Sequence, residues 1–117
     1  MTVRRIVANL PVADPALDAP FWVGVLGCET AMDLGGIVNH RVDDTIQVQL
    51  VRRDASAPQD SAVSVEVGDL DELAGVHAAV VDAGYAIVHP MTDEPWGVRR
   101  FLVRTPGGTV VNVLAHR

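Results

Sequence analysis

The sequence contains no lysine: all nine basic residues are arginines, against fifteen aspartates and glutamates, and the formal net charge is −6. An acidic chain without a basic tract lacks the electrostatic footprint of a general nucleic-acid binder. There is one cysteine, Cys28, so no intrachain disulfide can form, which suits a reducing cytoplasm. No apolar run approaches the roughly 20 residues of a membrane span, so no membrane partner is expected. The opening MTVRRIVANLPV has two arginines, but the apolar run behind them is broken by Asn9 and Pro11. A secretory leader is therefore not expected. No glycine-rich phosphate loop is present either, because Gly107-Gly108 reads as a hairpin turn. Aromatic residues are scarce, with two Trp, one Tyr and two Phe.

What is present describes a globular chain. Hydrophobic residues make up 49% and charged ones 21%, a balance that folds rather than stays disordered. At 117 residues it is long enough for one core and one domain, 1–117.

Internal similarity organises the rest. VANLPVADPALD from Val7 and AVSVEVGDLDEL from Ala62 are both alternating strands that end in an aspartate, Asp14 or Asp69, suited to cap a helix. Each helical stretch then closes at a glycine, Gly27 or Gly84. Three strand-like runs follow in each half: CETAMDL, IVNHRV and TIQVQLVRR, then YAIVHP, VRRFLVR and TVVNVLA. MTDEPWG is expected to be a loop and TPGG a turn. The prediction is strand, helix, strand, strand, strand, twice. The first module runs to about residue 53, RDASAPQD links the two over about 53–60, and the second module covers about 61–117. The second helix, about Leu70 to Ala83, carries Leu73, Val76 and Val80 at helical spacing, with His77 at the stripe's edge and expected at the surface. The first helix should bend at Pro20 or begin near Asp18.

Strand parity then separates two faces. Ile6, Ala8 and Leu10, Ile46, Val48 and Leu50, Val63, Val65 and Val67, and Val111, Val113 and Ala115 form an apolar face expected beneath the helices. The other face is mixed and holds Asn9, Gln47, Gln49, Ser64, Glu66 and Asn112 among small apolar groups. A mixed face built by both halves suits a small-molecule cleft; a merely solvated sheet face is the plainer alternative. Asn112, flanked by Val111 and Val113, needs a hydrogen-bond partner or a ligand wherever it is buried. Trp96, in a Pro-Trp-Gly loop, can aim an indole over the cleft mouth, and indoles stack on flat or cationic ligands. Arg99 and Arg100 point to opposite faces of one strand, so one of them would reach the cleft and meet Glu66 or an anionic ligand group; the pattern does not say which, and Arg100 is the candidate. His40, His89 and Glu66 could form a separate acid–base or metal site, but their spacing follows no motif. Cys28 reads as a small buried side chain, and Trp22 as core or dimer contact. No catalytic residue is assigned.

NLPVAD with FWVGVLG, SVEVGDLDEL and EPWGVRRFLVRTPGGTVVNVL together resemble the vicinal oxygen chelate superfamily, which includes glyoxalase I, bleomycin-resistance proteins and extradiol dioxygenases. The resemblance covers nearly the whole chain. It implies an α+β fold of paired βαβββ modules, a curved mixed sheet enclosing a cleft, and a homodimer. Enzymes of the superfamily hold a divalent metal with four side chains, and the resemblance places these at Val7, Gln49, Ala62 and Asn112. Two of the four carry no donor atom and two carry neutral amides, a poor set for zinc, iron or a hard cation. The expectation is therefore a metal-independent, cofactor-free small-molecule-binding protein like the bleomycin-resistance branch, sequestering an antibiotic-like or other small organic ligand. A lyase, isomerase or dioxygenase with a displaced metal site is the alternative, and a regulatory subunit with an unused cleft is a third.

Overall fold

A computed structural model describes residues 2–117. The strands are β1 (Val3–Pro11), β2 (Glu29–Asp33), β3 (Ile37–Arg41), β4 (Gln47–Val51), β5 (Val63–Val67), β6 (Ala86–Glu94), β7 (Val98–Arg104) and β8 (Val110–His116), with one regular helix, α1 (Leu70–Ala83). They form a single eight-stranded sheet in the order β2-β3-β4-β1-β5-β8-β7-β6. In each half the first strand lies parallel to the last, Asn9 opposite Gln49 in β1 and β4, and Ser64 opposite Asn112 in β5 and β8. The halves meet through their first strands, antiparallel, with Val7 opposite Ser64. Two copies of one βαβββ unit, related by an approximate two-fold axis, thus make one mixed sheet. No helix among the described residues is long and apolar enough to cross a membrane.

The second half matches its sequence pattern closely. The Asp69 carboxylate accepts from the Glu72 amide at 2.8 Å, and Gly84, at φ +78°, ends α1 in the left-handed conformation that glycine adopts without penalty. Leu73 seats α1 on the sheet against Phe101, Val103, Val113 and Ala115, with Val76 and Val80 at the margin. His77 is not the surface residue its position suggests: its ring meets Phe101 edge-on at 4.9 Å.

The first half departs from expectation. Instead of a bent helix, a 3-10 turn (Pro15–Leu17) is followed by one wide helical turn (Pro20–Val25). Pro15 and Pro20 each lack an N–H at the start of a segment, which suits a first turn but splits a longer helix in two. A full helix therefore never covers this half of the sheet. Its outer face stays open along β1, at Ile6, 58% exposed, and at Ala8 and Leu10, whereas Leu50 on the same face is fully buried, so the expectation that the whole apolar face packs beneath helices fails along β1.

β6 also runs further than the sequence suggests, through Met91–Glu94. As an edge strand it tolerates Pro90, and its ladder with β7 shifts register on both sides of His89. Between the halves, residues 54–60 form a strap. Ala57, 5% exposed, packs on Leu102 and Val110, so the strap lies over the inner face of β7 and β8.

Candidate ligand-binding cleft

Parity places the odd residues of β1 and the even residues of β5 and β8 on the inner face, and there they build two polar rows. The outer row crosses β3, β4, β1, β5 and β8. Asn39 Nδ2 and Arg5 Nη1 both donate to Gln47 Oε1 at 2.9 Å, and Arg5 Nη2 reaches Glu66 Oε1 at 3.3 Å. His116 Nε2 lies 2.9 Å from that same carboxylate oxygen. The inner row is made of neutral groups. Asn9 Nδ2 donates to Ser61 Oγ at 3.1 Å and to Ser64 Oγ at 2.9 Å, and Asn112 Nδ2 donates to Ser64 Oγ at 3.0 Å.

The wall of the cleft is an ion cluster built on β7. Arg100, 5% exposed, gives one terminal nitrogen to Asp54 Oδ2 and Ser56 Oγ of the strap, both at 2.8 Å. Its Nε faces Glu94 Oε1 at 3.5 Å, and its guanidinium carbon lies 5.1 Å from the centre of the Trp96 ring. Glu94, 3% exposed, also meets His89 Nε2 at 3.3 Å. Burial pushes the Asp54 carboxyl up, but hydrogen bonds from Ser56 and Arg100 outweigh it and hold the group below the ordinary carboxylate value.

These elements border two confluent hollows, which share Ile37, Gln49, Ser64, Arg100 and Asn112. Of the residues singled out from sequence, Asn9, Gln49, Ser64, Glu66, Trp96, Arg100 and Asn112 line them, while Gln47 stands behind as the acceptor that fixes Arg5 and Asn39. Arg100 lines the cleft but does not meet Glu66: its partners are Asp54, Ser56 and Glu94, and Glu66 is served by Arg5 and His116. Arg99 faces away and pairs with Asp93. His40, His89 and Glu66 do not come together, since His40 is buried beside Thr30 and His89 beside Glu94. The histidine that does join Glu66 is His116, whose signal was its parity with Asn112 and Leu114 along β8. Cys28 is half-buried, and Trp22 packs edge-on against Phe21 at 5.4 Å.

Asn112 has its partner in Ser64, but only through its nitrogen. The carbonyl oxygens of Asn112 and Asn9 are buried with no protein partner, as is Arg100 Nε by strict hydrogen-bond geometry. Unpaired polar atoms of this kind cost free energy unless a ligand or water meets them.

The same positions test a metal. At the four places where the superfamily grips an ion, Val7 is a buried aliphatic, Ala62 offers no donor, and Gln49 and Asn112 offer only neutral oxygens. Among the described residues no three His, Cys, Asp or Glu side chains group so as to hold an ion. The donor set does not fit a divalent cation.

Two modules that share one mixed sheet bordering a polar cleft define a paired-module α+β fold. The chain belongs to the Glyoxalase/Bleomycin resistance protein/Dioxygenase superfamily, whose family model matches residues 4–113. No curated protein matches it in sequence. Solved structures share the fold. A glyoxalase/bleomycin resistance protein/dioxygenase superfamily member from Vibrio splendidus is 22% identical at a TM-score of 0.70, covering 97% of this chain and 99% of that one. A Legionella pneumophila structure named as an NAD-dependent benzaldehyde dehydrogenase is 14% identical at a TM-score of 0.78, covering 96% and 99%. An extradiol ring-cleaving dioxygenase from Brevibacterium fuscum is 18% identical at 0.70, and this chain covers 33% of it.

Proposed function

We propose that this protein binds a small organic molecule in the cleft without a resident metal ion, as a sequestering protein of the bleomycin-resistance type acting in the cytoplasm. The observation that carries the reading is the chemistry of the inner row. Its groups are neutral, and the buried carbonyls of Asn9 and Asn112 lack protein partners. Such groups suit hydrogen bonding to an organic ligand and are poor at offsetting the dehydration of a cation. Metal analysis of protein purified without chelator tests it. The expected result is well under one ion per chain and a melting temperature unmoved by EDTA. Stoichiometric zinc, iron, nickel or manganese would replace this reading with a metal-dependent lyase, isomerase or dioxygenase.

The functional unit in this reading is a homodimer. Its support is apolar surface left uncovered in the first half: Ile6, Ala8 and Leu10 on β1, Ile46 before β4, and Leu17, Val25 and Leu26 in and after the two short helical turns. Sedimentation should show a pair of chains at micromolar concentration, and Ile6→Lys should shift it to monomer. A monomeric wild type removes the dimer from the proposal and leaves the cleft untouched.

A further inference from the structure

Each charged side chain that borders the cleft already has a counter-charge inside the protein. Glu66 lies between Arg5 and His116, Asp60 holds Arg53 at 3.2 Å, and Arg100 stands between two carboxylates, Asp54 and Glu94, the second of which also meets His89. A charged ligand entering here would have to break one of these pairs or bury its own charge unpaired, and either is costly. What the cleft leaves unmet is neutral hydrogen bonding. Asn9 and Asn112 present carbonyl oxygens without donors, and no protein acceptor among the described residues engages the Nη1 edge of Arg100. The two ends are close in the sheet, because Arg100 pairs with Leu114 and Asn112 with Leu102, one inward-facing row apart on neighbouring strands. Beside them Trp96 has Arg100 over its ring and remains 41% exposed.

We infer that the cleft selects a neutral ligand carrying an amide-type group on a flat ring. This rests on the metal-independent reading above. The ligand carbonyl accepts from Arg100 Nη1, its N–H donates to the Asn112 or Asn9 carbonyl, and its ring stacks on Trp96. Arg100 is then the specificity-determining residue, and Asp54 and Glu94 are what stop it from acting as an anion receptor. Fixing the guanidinium by its strap and Glu94 contacts leaves little ordering to be done on binding.

Benzamide, benzoate and benzamidine share a ring and a size but differ in charge, and they serve as probes. Each is titrated into ¹⁵N-labelled protein, following the indole N–H of Trp96 and the side-chain amides of Asn9 and Asn112, with the Trp22 indole as internal control. Benzamide should move the cleft signals with millimolar affinity, and benzoate and benzamidine should each bind roughly tenfold more weakly, the scale of one uncompensated charge at a partly wet site. Asp54→Asn keeps a hydrogen-bond acceptor for Arg100 and removes one negative charge, so benzoate should gain severalfold over benzamide. Benzoate or benzamidine binding as tightly as benzamide overturns the inference. So does an unchanged benzoate preference in Asp54→Asn, or the absence of any response at Trp96. Metal content decides the parent reading separately, so the two can fail independently.

Discussion

Phe101→Ala should lose about 3–5 kcal/mol of folding free energy, the cost of truncating a buried aromatic and leaving a cavity. Phe101 is 0% exposed and belongs to the core cluster packed against α1, with Leu73, Val113 and Ala115, and the His77 ring stands perpendicular to its own at 4.9 Å. The sheet around it is pinned on both sides by β6 and β8, so it cannot collapse into the space. Urea unfolding should show the midpoint falling with an unchanged slope. Phe21→Ala is the contrast. Phe21 is 52% exposed and rests mainly on Trp22, so its loss in the isolated chain should stay within about 1 kcal/mol. Equal losses in the two variants would mean that the core is not where the α1 contacts place it.

That contrast shows which features were legible before any coordinates. The second module follows from local rules alone: an aspartate cap, a three-residue apolar stripe, a glycine stop and alternating strands, all consistent with one another. The first module breaks those rules at Pro15 and Pro20, and the sequence shows that the helix is disturbed without showing that it splits into two short turns. The inner face was readable because parity is a strict two-residue period, which brought Asn9, Gln49, Ser64 and Asn112 to one surface. Partners were not readable, because they depend on register between strands distant in sequence. Nothing local links Arg5 to Glu66, and nothing local brings Asp54 of the linker to Arg100, 46 positions away. Parity put Arg99 and Arg100 on opposite faces without saying which one turns inward, and it said nothing of Arg100's burial under the strap that folds over β7 and β8.

Removing Arg100 should be nearly as damaging as removing Phe101, for an electrostatic reason. Arg100→Leu leaves Glu94, whose side chain is 4% exposed, and Asp54, whose side chain is 25% exposed, facing each other across an apolar stub. Breaking a buried pair from one side costs about 3–5 kcal/mol, more than the pair contributes when intact, because the stranded charge is shut off from solvent, and Glu94 would keep only its contact with His89. Glu94 carries most of that cost, since water can still reach Asp54. Arg100→Leu combined with Glu94→Gln should therefore recover a good part of the loss, and a double mutant no better than Arg100→Leu would show that packing on Trp96 dominates instead. The acid limb of the stability curve gives an independent reading. Asp54 has its carboxyl held below the ordinary value in the folded chain, so its contribution is complete above the unfolded-state pKa and is lost as pH falls through the lower, folded-state one. Arg100→Leu removes one cause of that depression, and Asp54→Asn removes the titrating group. Between neutral pH and the acid range, wild type should lose more stability than Asp54→Asn. Parallel curves would mean that the strap is not tied down through this carboxylate.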